Sequence, residues 1–308
     1  MTHSSLVSIL GKHEKETGVP ELPEVETVKR GLNDLIVGKV ITAVHHNADK
    51  SFPNAQQDVE RFVVGASIVM VKRRAKVLLI ELSTAYTLLI HLKMTGQLVF
   101  VGQERFGAGH PNDSLIGTLP DKSTRVTVQF SDETNLYFND QRRFGWVKLV
   151  PTVQVSEIDF MKKLGPEPLS ADFNPAAFRE QLHKRPNSMI KAVLLDQTVI
   201  AGVGNIYADE SLWAARIHPE TRVKDITVRK LNTLFIELQA VLQLSIEKGG
   251  SSDKNYVNAE GKKGSYISFA RVFRREGKPC SRCNTTIVKT RVAGRGTHIC
   301  PKCQRKTQ

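Results

Sequence analysis

The sequence predicts an α+β, multidomain fold, and three observations carry that prediction. Short β-rich runs crowd residues 40–149, helical periodicity takes over beyond residue 169, and all four cysteines fall in the last thirty residues as two CxxC pairs. A run of strands followed by a run of helices, without alternation, separates into two domains rather than one parallel α/β sheet. At 308 residues the chain is long enough to give each domain its own core.

The elements follow in order. From Pro23 to Ile36 the apolar residues Val25, Val28, Leu32, Leu35 and Ile36 recur at helical spacing. Pro23 suits a first turn and Gly38 a stop. Residues 68–71, 77–82, 87–92, 98–101, 125–130, 134–138 and 146–150 then read as strands separated by turn residues, the spacing of a β-sandwich or a barrel. Neither strand–helix alternation nor a phosphate-binding Gly-rich loop accompanies them, which argues against a doubly wound fold. Residues 151–169 read as a linker ending in the turn-rich Gly165-Pro166-Glu167-Pro168. Helical periods occupy 176–183, 189–195, 205–216 and 228–247. The polar, Gly-rich stretch 249–264 is longer than an ordinary connection, which marks it as a candidate functional loop. The expected organisation is a leader at 1–19, a first domain at 20–150, a linker at 151–169, a helical domain at 170–270 and a metal-bound end at 271–308.

Composition narrows the partners. The formal charge is +13 and the pI about 9.6, an excess that favours polyanions. No stretch approaches the roughly 20 apolar residues of a membrane helix. Residues 1–19 lack a basic start, their apolar piece is short, and charged residues follow it, so they make a poor signal peptide. The expectation is a cytoplasmic protein.

Cys280-x2-Cys283 and Cys300-x2-Cys303 stand sixteen residues apart. Each CxxC turn brings two sulfurs to one metal, and four thiolates close a tetrahedral Zn²⁺ shell with no position left for water. The expected cofactor is therefore one structural Zn²⁺, needed because so small a segment buries little apolar surface. Residues 271–306 carry eleven Lys/Arg against the single acid Glu276, which suits a phosphate backbone. Further upstream, Gly202-Val203-Gly204-Asn205 precedes a helical run. Glycines admit close backbone approach, Asn205 would cap the helix, and a helix N-terminus offers N–H groups to an anion.

Pro20 heads the run Pro20-Glu21-Leu22-Pro23-Glu24-Val25-Glu26-Thr27, with nineteen residues in front of it. As an N-terminus it would be a free secondary amine beside two carboxylates. With the leader attached it is a tertiary amide without a basic lone pair. Val19 stands where an initiator would stand, since a GTG start codon reads as valine in translation. The expectation is that synthesis begins there and removal of the initiator exposes Pro20.

These pieces together resemble the formamidopyrimidine-DNA glycosylases. Pro20–Thr27 is similar to their PELPEVET start, Arg73-Arg74-Ala75-Lys76 to their RR(G/A)K strand, and His91-Leu92-Lys93-Met94-Thr95-Gly96 to their HLxM(S/T)G. Asp140-Gln141-Arg142-Arg143-Phe144-Gly145 resembles their DxRRFG, Gly202–Glu210 their helix–two-turn–helix signature, and the four cysteines their zinc finger. The motifs run in the family's order from Pro20 to the end of the chain. The resemblance implies an N-terminal β-sandwich flanked by helices, then a helical helix–two-turn–helix domain with a C-terminal zinc finger. Double-stranded DNA containing oxidised bases would lie in the cleft between them, bound by a monomer. The implied activity is base-excision repair of oxidised purines, 8-oxoguanine and formamidopyrimidines, followed by strand cleavage as an AP lyase.

The residues suit that chemistry. An α-amine has a pKa of about 8 against about 10.4 for lysine, so more of it is neutral and nucleophilic at pH 7. Attack by Pro20 at C1′ displaces the base, and a secondary amine then gives an iminium that is cationic without a proton. Proton loss at C2′ expels the 3′ phosphate, and a second elimination expels the 5′ phosphate. Glu21 would be the general acid/base. The resemblance makes Glu24 a positioning carboxylate, and Lys76, Asn205 and Arg295 phosphate contacts. His91 stands in a DNA-binding motif. Met94, Arg142 and Phe144 would fill the gap left by a flipped base. Lys191 falls where the family has a lysine associated with the damaged base, and 249–264 corresponds to the loop that covers it. Two other functions fit the motifs: an endonuclease-VIII-like glycosylase for oxidised pyrimidines, against which Leu22 speaks, and a non-catalytic zinc-finger protein for damaged DNA if Pro20 stays blocked.

Overall fold

A computed structural model of the chain describes residues 20–47, 50–110, 112–251 and 266–306. The leader at 1–19 and most of the 249–264 loop lie outside the described residues.

The first domain opens with helix α1 (Leu22–Ile36). Pro23 occupies its first turn, and Glu21 and Glu24 form a reciprocal capping box. The helix buries Val25, Val28, Leu32 and Ile36. Strand β1 (Ile41–His46), helix α2 (Gln56–Phe62) and strands β2 (Ile68–Arg74), β3 (Val77–Leu82), β4 (Tyr86–His91), β5 (Gly96–Val101), β6 (Arg105–Gly109), β7 (Thr124–Phe130), β8 (Asn135–Asp140) and β9 (Trp146–Pro151) follow. They form two antiparallel sheets, ordered β2-β3-β4-β9 and β1-β7-β8-β5-β6. Ile68, Ile80 and Leu88 from one sheet meet Leu98, Val126 and Phe138 from the other in one core that α1 also enters. The arrangement is a β-sandwich with a helix on its flank, which decides between sandwich and barrel.

Strands β1 and β6 were absent from the sequence reading. Residues 105–109 carry two glycines and so lack strand chemistry, whereas residues 41–46 include Ile41, Thr42 and Val44 and were simply overlooked. Pairing supplies what propensity lacks: β6 lies along β5. At Gly109, φ is +122° and an added Cβ would stand 2.4 Å from the Gly96 carbonyl oxygen, so the close approach requires glycine.

The stretch read as a linker is packed onto the sandwich. It contains helix α3 (Asp159–Lys162), whose Met161 joins Val77, Leu79 and Leu89 in an apolar layer on the outer face of the four-stranded sheet. Strand β3, buried on both faces, therefore has no alternating pattern.

The second domain packs α4 (Pro175–His183), α5 (Ile190–Leu195), α6 (Asn205–Ala214), α7 (Val228–Glu247) and the short α8 (Tyr266–Phe269) around Ile190, Leu194, Tyr207, Leu212, Leu234 and Leu238. Strands β10 (Val288–Val292) and β11 (Arg295–Ile299) form an antiparallel hairpin between the two CxxC turns. Among the described residues no helix is long and apolar enough to cross a membrane.

Candidate active site and nucleic-acid interface

The two domains meet at the start of α1. The Leu22 N–H donates to the Gly202 carbonyl at 3.1 Å. The Ile206 N–H donates to Glu21 Oε1 at 3.2 Å, so a carboxylate from the first domain occupies the N-terminus of α6 in the second. Two glycines make this possible. An added Cβ at Gly202 would meet the Leu22 side chain at 2.6 Å, and one at Gly204 would stand 2.0 Å from Glu21 Cδ. Asn205 was expected to cap α6. It is instead the first helical residue, Gly204 is the cap, and Glu21 supplies the acceptor.

Pro20 and Glu21 are both buried. Burial pushes the Glu21 carboxyl up to about 7. The Lys76 ammonium opposes that shift, Glu24 adds to it, and the Ile206 and Asn205 N–H groups again oppose it. Among the described residues its second oxygen, Oε2, has no hydrogen-bond partner. A carboxyl half protonated near neutral pH with one free oxygen can both give and take a proton.

Lys76 occupies the two-residue turn between β2 and β3, where Ala75 adopts a φ of +52°. Glu167 holds the turn by accepting from the Ala75 N–H at 2.6 Å, Arg73 Nη1 at 2.8 Å and Arg74 Nη1 at 3.0 Å. Lys76 Nζ reaches across to the Val203 carbonyl at 3.0 Å. Burial lowers the Lys76 ammonium; Glu21 and Glu24 counter this, while Arg295 reinforces it. Lys76 therefore sits within electrostatic reach of Glu21, with one of its three donors on Val203.

Glu24 is a hub. Its Oε2 accepts from the Glu21 N–H at 2.9 Å, and its Oε1 accepts from Tyr207 Oη at 2.5 Å and from the Ser251 N–H at 2.7 Å. Ser245 Oγ lies 2.6 Å from Tyr207 Oη. The one phenolic proton goes to Glu24, so Ser245 must be the donor to Tyr207. Burial, then the Glu24 and Glu21 carboxylates, raise the Tyr207 phenol far above its ordinary value, which keeps that donor in place. Sequence reasoning missed Tyr207, Ser245 and Ser251. Tyr207 stood inside a recognised motif, but nothing in the spacing of the two serines pointed to them.

Met94, Arg142 and Phe144, expected to fill the gap left by a flipped base, come from two neighbouring turns. His91 pairs with Trp146 and Gly96 with Asp140, which sets the β4–β5 and β8–β9 turns side by side. Buried Asp140 organises both: its Oδ1 receives Thr95 Oγ1 and, at 3.2 Å, the Arg142 N–H, and its Oδ2 receives the Gly145 N–H at 2.6 Å. Met94 is 40% exposed and Phe144 51%, and the Arg142 guanidinium lies 4.9 Å from the Phe144 ring centre. Large apolar side chains this exposed on turns are unexplained by core packing. Burial, reinforced by Lys93 and Lys76, pushes His91 down to about 3. It is neutral, and because Nδ1 accepts from the Lys93 N–H at 3.0 Å, its proton sits on Nε2.

On the opposite side, exposed Arg295 begins β11. The adjacent Gly296 carbonyl accepts one amide proton of Asn205 at 3.0 Å, leaving the other free. Lys191 departs from expectation. It is fully buried, and its ammonium is committed to Asp209 Oδ1 at 2.6 Å, Thr297 Oγ1 at 2.6 Å and the Gly296 carbonyl at 3.1 Å. These three contacts tie β11 to α5 and α6. Asp209 also accepts the His298 N–H at 2.9 Å, and Glu210 accepts the N–H groups of Arg271, Val272 and Phe273. These two buried carboxylates of α6, unassigned from sequence, dock the metal-binding end onto the helical domain.

The four cysteine sulfurs lie within 4.8 Å of one another. Three of their separations are 3.4, 3.5 and 3.9 Å. Zn–S bonds of about 2.3 Å give a tetrahedral edge of about 3.8 Å, so the set fits Zn²⁺. One structural zinc closes this end of the chain.

Known proteins carry the same features. A profile for the formamidopyrimidine-DNA glycosylase N-terminal domain matches residues 19–147, one for the H2TH domain of the same glycosylases matches 164–256, and a zinc finger found in FPG and IleRS matches 277–305. A formamidopyrimidine-DNA glycosylase from Latilactobacillus sakei is 40% identical over 288 residues, covering 94% of this chain and 99% of that protein. One from Streptococcus mutans is 38% identical, covering 94% and 100%. Solved structures of Lactococcus lactis Fpg superpose over 93% of this chain and all of theirs at 36% identity, with TM-scores of 0.82 for a mutant with Fapy-dG-containing DNA and 0.81 for a complex with abasic-site DNA.

Proposed function

The chain belongs to the formamidopyrimidine-DNA glycosylase family, and from that premise we propose how its own residues excise a damaged base. The protein is a base-excision repair DNA glycosylase, and its macromolecular partner is DNA. The reading for this chain is removal of 8-oxoguanine and formamidopyrimidines, then strand cleavage by β,δ-elimination.

Pro20, as the N-terminal residue, attacks C1′ of the flipped nucleotide, and the bond to the base breaks. The C1′–N iminium that results draws electrons, so loss of the C2′ proton expels the 3′ phosphate and a second elimination the 5′ phosphate. Glu21 moves protons at the sugar. Glu24 fixes Glu21 through its N–H. Lys76, Asn205 and Arg295 hold the backbone phosphates beside the lesion, and His91 donates from Nε2. Met94, Arg142 and Phe144 fill the vacated stack. Contacts to phosphate position the DNA, so selectivity rests on the flipped base. The protein works as a monomer in the bacterial cytosol.

The observation that carries this reading is the Glu21 carboxyl, buried beside Pro20, with its pKa raised to about 7 and with one oxygen that has no partner among the described residues. The test is borohydride trapping on 8-oxoguanine duplex with two forms of the protein, one beginning at Pro20 and one retaining residues 1–19. Only the form beginning at Pro20 should give a covalent adduct. An adduct of equal yield with the longer form, or none with the shorter, overturns the assignment of Pro20. Intact mass of protein made from its native gene then reports which form the cell makes.

A further inference from the structure

Between α5 and α6 one side chain holds together the loop that meets the first domain. Gln197 follows the end of α5, and its carboxamide is used in full. Its Nε2 donates to the Leu195 carbonyl at 3.1 Å and to the Val203 carbonyl at 2.8 Å, and its Oε1 accepts the Gly202 N–H at 2.8 Å. A glutamine offers two N–H groups and one acceptor in a single plane, which is the set this loop uses. Gly202, at a φ of +83°, has no side chain to pack, so hydrogen bonds set the orientation of the peptides around it.

Both residues that Gln197 holds also meet the first domain. The Gly202 carbonyl accepts the Leu22 N–H at 3.1 Å, next to Glu21, and the Val203 carbonyl accepts Lys76 Nζ at 3.0 Å. A carbonyl oxygen has two lone pairs, and at Val203 Gln197 and Lys76 share them. Val203 is wholly buried, which shields that oxygen from water. Lys76 is thus held at both ends: Glu167 fixes the turn that carries it, and Val203 anchors its ammonium. Gln197 reaches the first support as well, since its main-chain carbonyl accepts the Gly165 N–H at 2.8 Å, just before Glu167 in the chain.

We propose that Gln197 is a positioning residue for base excision: its carboxamide fixes the Val203 carbonyl that anchors Lys76 and so, given the phosphate contact proposed for Lys76, sets that ammonium beside the lesion. Without the Gln197 N–H the Val203 peptide is free to turn, and an ammonium on a flexible four-carbon stem follows it. A misplacement of about 1 Å can cost on the order of 10²-fold in rate, so a lost support behind Lys76 is felt in the chemistry.

The test uses the whole zinc-loaded enzyme and joins a double-mutant cycle to a titration of Lys76. Gln197→Met should slow single-turnover excision about tenfold in the wild-type background and less than about twofold in a Lys76→Met background, because groups that act through one another do not add. Equal losses in both backgrounds overturn the proposal. Lysine carrying carbon-13 at Cε follows the ammonium directly, with the Lys76 signal assigned from its absence in Lys76→Met. A carbonyl that accepts from the ammonium favours the charged form, so Gln197→Met should move the Lys76 titration to lower pH. An unchanged midpoint in the folded variant also overturns the proposal. If Lys76→Met alone excises like wild type, the phosphate role of Lys76 is what fails, and the titration still decides whether Gln197 holds its ammonium. Gln197→Glu keeps the acceptor for Gly202 and loses both donors, so the same cycle is run on it if Gln197→Met fails to fold.

Discussion

Glu21, from the first domain, accepts the N–H of Ile206, from the second, at 3.2 Å. The proposed general acid/base is thereby held by the helix whose other side docks the zinc hairpin. Its protonation depends on both domains, because Lys76 and Glu24 act on it alongside the α6 backbone.

Glu21→Gln should retain duplex binding and lose base excision by about 10²–10⁴-fold, the usual worth of a positioned acid/base. It should also change the pH dependence of stability. The folded-state pKa of about 7 lies above the ordinary 4.5, so the folded protein binds more protons than the unfolded chain between those values. Stability from Glu21 is therefore complete below pH 4.5 and is lost as pH rises through 7. Melting temperatures from pH 5 to 8 should fall more steeply in wild type than in Glu21→Gln. Parallel curves would refute a raised Glu21 pKa.

Tyr207→Phe removes one donor to Glu24 and leaves Ser245 without its acceptor. Losing a hydrogen bond to a buried charged group costs about 1.5–3 kcal/mol. Denaturant titration should show a loss of that size. Excision should slow about tenfold while affinity for an uncleavable lesion duplex holds, because Glu24 no longer fixes the Glu21 backbone. Loss of affinity equal to the loss in rate would mean that Tyr207 supports the cleft generally rather than the catalytic turn.

Met94→Ala and Phe144→Ala should leave stability within about 0.5 kcal/mol of wild type, since both side chains stand exposed on turns outside the core. Their effect should appear where a base must leave the stack, at a cost of a few kcal/mol. Excision from duplex should fall while cleavage of a preformed abasic site is much less affected. Equal losses on both substrates would exclude a wedge role.

The sandwich, the helical domain and the zinc site were legible because their signals are local: β-rich runs, helical periods and paired CxxC turns. The catalytic turn was legible as a motif, but its joint with α6 was not. That joint depends on the absence of a Cβ at Gly202 and Gly204, and the letters alone do not show what each glycine makes room for. Strand β6 was hidden for a related reason, since two of its residues are glycines, one making room for β5 at Gly96 and the other for Leu115. Tyr207, Ser245 and Ser251 are brought to Glu24 from distant parts of the chain by tertiary packing, which no periodicity records.

Lys191 gives the sharpest contrast between a role taken from resemblance and one taken from contacts. A lysine that touched only the damaged base could be replaced with little effect on folding. Lys191 is instead paired with Asp209 inside the protein, both side chains at 0% exposure. Burial lowers the Lys191 ammonium, and Asp209 is the largest influence opposing that. Removing one partner of a buried pair strands the other, at about 3–5 kcal/mol. Lys191→Met should therefore lower stability by an amount in that range. It should also raise the protease sensitivity of the β10–β11 hairpin, since the contacts to Gly296 and Thr297 go with it. Lys191→Met with Asp209→Asn should recover part of the loss, because the stranded charge is then absent. Thermal melts of the single and double variants measure this directly. A Lys191→Met protein as stable as wild type but altered in lesion preference would restore the base-contact role.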